Sequence, residues 1–175
     1  MNLYLRLLIT FLRSWRAPRL PVDGVLERTL RVLPNDLDIN GHMNNGRYLT
    51  VVDLLLVEFF MRTGLAGAML RQGWRPMSGG SFITYRRGLK PFSPYVVRMR
   101  LEGVDDHWNY LRFEFVSDGK VCAAGYMKGA AVGKGGLIAN AQTYAAMQVR
   151  LPEMPLSAPV QNWLAAEKGV MSAAW

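Results

Sequence analysis

The sequence predicts an α+β fold in which an antiparallel sheet wraps one long central helix, with extra helices at the N- and C-termini. Three observations carry that expectation. Tyr48, Val51, Val52, Leu55, Leu56, Phe59 and Phe60 recur at i, i+3, i+4 spacing, the period of a helix. Leu54, Val57 and Met61 dilute its polar side, so this helix should be covered on most sides. Strand-like runs flank it, one before and four after, without the strand–helix alternation of a doubly wound sheet.

The elements follow in order. Residues 1–16, drawn as a helix, place Asn2, Arg6, Thr10, Arg13, Ser14 and Arg16 on one side. Tyr4, Leu5, Leu8, Phe11, Leu12 and Trp15 take the other, and Pro18 and Pro21 stop the helix. Residues 25–33 alternate loosely and read as a first strand. A polar loop runs from residue 34 to about residue 46, before the long helix, which Gly64 ends. A short helix is expected over 65–72, then strands over 76–87, 95–103, 110–116 and 121–132. Residues 105–109 and 117–120 are turn-rich separators that suggest hairpins. Helical stretches near 139–150 and 160–170 close the chain, separated by Pro152, Pro155 and Pro159. The division is a basic amphipathic helix over 1–20 and a single domain over 21–175 that includes the helical tail.

Composition narrows the function. A chain of 175 residues, half of them hydrophobic, has enough apolar side chain for a sizeable core. Its one cysteine, Cys122, rules out an internal disulfide, suits a reducing compartment such as the cytoplasm, and lies in an apolar run that reads as packing. Net charge is +8, and half of it comes from Arg6, Arg13, Arg16 and Arg19 with no acid in the first twenty residues. Such a balance favours an anionic membrane, a phosphorylated cofactor or an acidic carrier protein. Nucleic acid is not favoured, because no basic-aromatic motif or finger spacing is present. The first twenty residues can pack on their own domain or on a second subunit, or lie in a membrane interface. A cleaved signal fits least, since Arg6 and Arg13 interrupt the apolar core.

The loop carries the chemistry. Asp38, Asn40 and His42 gather a carboxylate, a carboxamide and an imidazole within five residues, directly before the long helix. Groups that take, hold and pass a proton thus sit beside a helix N-terminus, whose free N–H groups favour developing negative charge. That combination suits attack on a carbonyl. Each residue also has a plainer role: Asp38 as a cap, Asn40 as a turn residue, His42 as a structural loop residue. The glycine clusters 78–81 and 133–136 read as loops or bulges, without phosphate-loop spacing. Two histidines far apart and one cysteine offer no dedicated metal site.

These residues resemble a known family. A long helix wrapped by an antiparallel sheet is the hotdog architecture, and Asp38-x-x-Gly41-His42-x-Asn44-Asn45 resembles the 4-hydroxybenzoyl-CoA thioesterase-like branch of the hotdog thioesterases. The similarity is closer still to thioesterase superfamily member six-like proteins, through Arg31, Pro34, Asp36, Asp38, Asn44, Asn45, Arg47, Tyr48, the Lys90-Pro91-Phe92 run, Asp105-Asp106, Pro152-Glu153-x-Pro155 and Asn162-Trp163. It spans roughly residues 25–170. The resemblance implies hydrolysis of acyl-CoA or acyl-carrier-protein thioesters, with coenzyme A only as part of substrate or product and no other cofactor. It implies Asp38 as base or nucleophile, and the backbone N–H of Asn45 or Gly46 as oxyanion donor. It also implies a homodimer or higher oligomer with the site between subunits.

The motif is similar to plant acyl-carrier-protein thioesterases as well, where the residues corresponding to Asp38, Asn40 and His42 belong to the catalytic set. There an acidic residue follows the Tyr-Arg-Arg of the next strand. Here Gly88 and Leu89 follow Tyr85-Arg86-Arg87. Asp53 or Glu58 on the long helix could replace it, or serve only as polar-face residues. Arg86, Arg87 and Lys90 are candidates for the phosphates of coenzyme A or a carrier's acidic face, or are solvated strand ends. Two other functions remain open: a non-catalytic acyl-thioester-binding or membrane-associated protein, and an enoyl-thioester hydratase or dehydratase. In that last branch the His lies five residues after the Asp, not four.

Overall fold

A computed structural model describes residues 3–172, apart from the side chain of Met171, and Asn2 of the proposed polar side lies outside them. The chain begins with α1 (Leu3–Arg16), β1 (Leu26–Arg31) and a 3-10 turn at Pro34–Asp36. The central helix α2 (Asn45–Thr63) and α3 (Leu65–Gln72) follow. Next come β2 (Arg75–Tyr85), β3 (Pro94–Val104), β4 (Asn109–Ser117), β5 (Lys120–Gly133) and β6 (Gly136–Ile138). Helices α4 (Asn140–Met147) and α5 (Ala158–Ser172) complete the described residues.

The strands form one antiparallel sheet in the order β1-β3-β4-β5-β2, with β6 on β5. The sheet curls around α2, giving the α+β hotdog architecture that the element order predicts. Alternation along the strands divides two faces. Val97, Met99 and Leu101 of β3, Leu111, Phe113 and Phe115 of β4, and Met127 of β5 pack with Tyr48, Val51, Val52, Leu55 and Phe59 of α2. On the opposite face Tyr110 and Tyr126 meet Val160, Trp163 and Leu164 of α5.

Local chemistry sets the boundaries of α2. Asn44 caps its start by accepting from the Gly46 N–H at 2.9 Å. Gly64 ends it at φ 86°, a left-handed conformation that costs glycine little. The predicted cover over its second side is α1, which lies against α2 and shares with Leu54, Leu55 and Glu58 the lining of one groove. The glycine cluster at 78–81 is a bulge inside β2, where the register to β5 shifts between Ser78 and Gly80. A Cβ at Gly79 would strike the Trp108 ring. The cluster at 133–136 is the turn into β6, a short strand that the sequence reading placed in a loop.

Candidate functional site

The polar loop folds back on itself through Asp38. The Asp38 N–H donates to the His42 carbonyl at 2.9 Å, and the Gly41 N–H donates to the Asp38 carbonyl at 3.1 Å. Asp38 Oδ1 accepts from the Asn40 N–H at 2.8 Å and from the His42 N–H at 3.4 Å. One carboxylate oxygen therefore builds the turn. The other, Oδ2, accepts from no described residue and remains available for water or a substrate. Asn40 and His42 are exposed, and Asp38 is half-buried.

The segment after β2 is zipped to this loop. The Met43 N–H donates to the Leu89 carbonyl at 2.9 Å, and Tyr85 Oη donates to the Asn45 carbonyl at 3.1 Å. Tyr48 lies beneath, its ring edge-on to Tyr85 at 5.1 Å between centroids and its hydroxyl accepting from the Leu89 N–H. Burial raises the Tyr48 phenol above its ordinary pKa, the Leu89 hydrogen bond opposes this, and nearby negative charge, Asp38 included, adds to the rise. Tyr48 is therefore a neutral floor to the site.

Gly88 accounts for the absent acid. A Cβ there would come within 2.7 Å of His42 Cδ2 and 2.8 Å of its Cγ. The His42 ring rests on the Gly88 backbone, in the space that a side chain at 88 would need. The sequence showed the departure at Gly88 but not this contact, which joins two segments distant in the chain.

The structure thus brings Asp38, Asn40, His42, Asn45, Gly46 and the Arg86–Lys90 segment to one end of α2. The two oxyanion candidates differ. The Gly46 N–H is engaged by the Asn44 cap, whereas no described residue accepts from the Asn45 N–H. The side chains of Arg86, Arg87 and Lys90 are exposed and have no partner among the described residues. Arg47, in the first turn of α2, adds another cation with no carboxylate partner among the described residues, one that sequence reasoning did not single out as a site residue.

The helix carboxylates have separate fates. Glu58 is buried and bound by Arg28 and by Arg62 Nη1 at 3.0 Å, so its role is structural. Asp53 lines an apolar cavity of about 270 Å³ between α2, α3, α4 and strands β2, β4 and β5. Leu56, Phe60, Met69, Met77, Leu111 and Met127 form much of its wall. Asp53 itself is exposed, and partial desolvation there raises its pKa. Cys122 is buried, and its thiol donates to the Lys120 carbonyl at 3.5 Å, in keeping with packing. No group of three or more His, Cys, Asp or Glu among the described residues could hold a metal.

The family description of the thioesterase-like superfamily matches residues 32–166 of this chain. The chain belongs to that superfamily. Among curated superfamily relatives, Protein THEM6 of Xenopus laevis is 41% identical over 86 residues, covering 49% of this chain and 42% of the frog protein. The chain spans about half the length of the curated relatives it matches. Among solved structures, a Staphylococcus aureus protein in complex with CoA superposes with TM-score 0.65 at 14% identity, covering 75% of this chain and 92% of that one. A gentisyl-coenzyme A thioesterase gives TM-score 0.61 at 16% identity, covering 69% and 99%. At these identities the likeness shows the fold, and the residues of the loop must carry the argument about chemistry.

Proposed function

We propose that the chain hydrolyses acyl thioesters, with acyl-CoA or an acyl carrier protein as substrate. One observation carries this reading above the rest: a carboxylate with one free oxygen and an unengaged helix N-terminal N–H meet at one end of α2, within a loop of thioesterase pattern. Asp38 Oδ2 takes a proton from water as it attacks the thioester carbonyl carbon. Alternatively Oδ2 attacks the carbon itself, and water later cleaves the resulting anhydride. The Asn45 N–H holds the oxyanion. In the first route the proton taken from water passes from Asp38, directly or through His42, to the leaving thiolate. In the second the thiolate leaves and is protonated from solvent. Asn40 orients the water or the carbonyl.

The remaining surroundings suit such a substrate. The cations of Arg86, Arg87 and Lys90 can meet phosphate oxygens of coenzyme A or a carrier's prosthetic arm. A CoA-bound structural neighbour is consistent with the first source. The apolar cavity along α2 fits an acyl chain, beginning about 12 Å from the helix start at Asp53, eight residues along at 1.5 Å per residue. Strand β2 is an exposed sheet edge of 11 residues, and pairing with the same strand of a second copy would continue the sheet into a dimer.

Released thiol, measured over short, medium and long aliphatic and aromatic acyl-CoAs and acyl-carrier-protein substrates, tests the reading with Asp38→Asn alongside. Asparagine preserves the Oδ1 acceptor that builds the turn, so the fold should persist while turnover falls about 10²–10⁴-fold. Parental rates in Asp38→Asn would end the mechanism. Tight binding of acyl-CoA without any turnover would leave an acyl-thioester-binding protein in its place.

A further inference from the structure

A surface helix in water normally buries its apolar stripe and exposes its polar one. Helix α1 does the reverse. Arg6, Thr10, Ser14 and Ala17, three or four residues apart, face the domain. Arg6 Nη2 donates to buried Asp36 Oδ2 at 2.6 Å, and buried Ser14 donates to the Thr10 carbonyl at 2.6 Å. The segment after the helix is pinned by Arg62 Nε donating to the Pro18 carbonyl at 3.0 Å and by the Leu20 N–H donating to the Arg62 carbonyl. The described residues leave the apolar side exposed: Leu8 is 53%, Phe11 44%, Tyr4 76% and Trp15 74% accessible. A contiguous patch of this kind marks a contact surface.

The charge around the patch says what it contacts. Arg13, Arg16 and Arg19 are exposed, none is paired with a carboxylate of the described residues, and the first twenty residues contain no acid. A second copy seated face to face would bring three more arginines against these three. An apolar layer beneath a negatively charged surface satisfies both the side chains and the charges. We propose that α1 docks the protein onto an anionic phospholipid bilayer, lying in the plane of the interface. Tyr4 and Trp15, about 16 Å apart along the helix axis, would sit at the headgroup level. No described helix is long and apolar enough to cross a membrane, so the contact is peripheral.

Co-sedimentation of the full chain with phosphatidylcholine vesicles, with and without phosphatidylserine, tests this. The parent should sediment with the anionic vesicles far more than with the neutral ones, and high salt should release it. Combined Leu8→Ser, Phe11→Ser and Trp15→Ser should lower partitioning about hundredfold, as should combined Arg13→Gln, Arg16→Gln and Arg19→Gln. Release of thiol from a short-chain acyl-CoA in free solution should match the parent in both variants, because α1 carries none of the residues assigned to the reaction. That readout separates failure here from failure of the thioesterase reading. A parent that stays in the supernatant with anionic vesicles overturns the proposal, as does an apolar-face variant that sediments like the parent. A vesicle-indifferent parent whose dimer is split by the same variant would assign the face to a second copy instead.

Discussion

Gly88 and His42 test how tightly the loop is tuned. A methyl group at 88 has nowhere to go without moving the imidazole, since His42 Cδ2 would stand 2.7 Å away. His42 is exposed and can swing outward, so Gly88→Ala should cost about 1 kcal/mol or less in stability, at the low end of overpacking. Turnover should nonetheless fall about tenfold or more, because the ring loses its seat on the Gly88 backbone. Thermal unfolding and thiol release on the same sample check both halves, and unchanged turnover would remove His42 positioning from the account. Asp38→Ala differs from Asp38→Asn in losing the turn acceptor as well, so it should lower the melting temperature while the asparagine variant does not. Loop residues were legible in the sequence because their types and spacing are local. The seat of His42 was not, because a glycine announces space only once its neighbour is known.

Helix α2 combines two carboxylates with opposite environments. Glu58 is held between Arg28 and Arg62, so Glu58→Gln should destabilise by about 3 kcal/mol, the low end for a broken buried pair because Arg28 keeps some water access. Asp53 has no such partner among the described residues and, though exposed, lines the apolar cavity, where partial desolvation raises its pKa. The folded state therefore holds that proton more tightly than the unfolded chain, and stability falls as pH rises through the carboxylate range. Asp53→Asn should remove its share of that slope, making the variant slightly more stable than the parent at neutral pH and indistinguishable at pH below the unfolded carboxylate pKa. Denaturant melts across pH would show it, and an unchanged slope would place the carboxylate in water. The period of α2, its glycine stop and its extra apolar side were readable in advance. The two faces of α1 were readable too, but not which one turns inward. That depends on Asp36, a buried acid whose partner is thirty residues away.

At the scale of the whole molecule, five of the six strands and the β3-β4-β5 meander follow from turn signals, whereas the short β6 and the order β1-β3-β4-β5-β2 depend on pairings that no local pattern encodes. That order leaves β2 at an edge with its side chains mostly exposed. Combined Ser81→Lys and Thr84→Lys should cause repulsion across a β2–β2 junction and shift the species seen in sedimentation velocity to monomer. If the site lies between subunits, turnover should fall with it, and a dimer unaffected by both substitutions would place the contact elsewhere. One ion pair reaches further than its size. Asp36 takes the Arg6 guanidinium on its side chain and the Asn44 N–H on its carbonyl, so one residue ties α1 to the cap of α2. Where two binding events are coupled through a shared residue, each changes the other by the same factor. A non-hydrolysed acyl-CoA analogue that tightens attachment of α1 to lipid would thus be gripped more firmly, to an equal degree, by protein already resting on it.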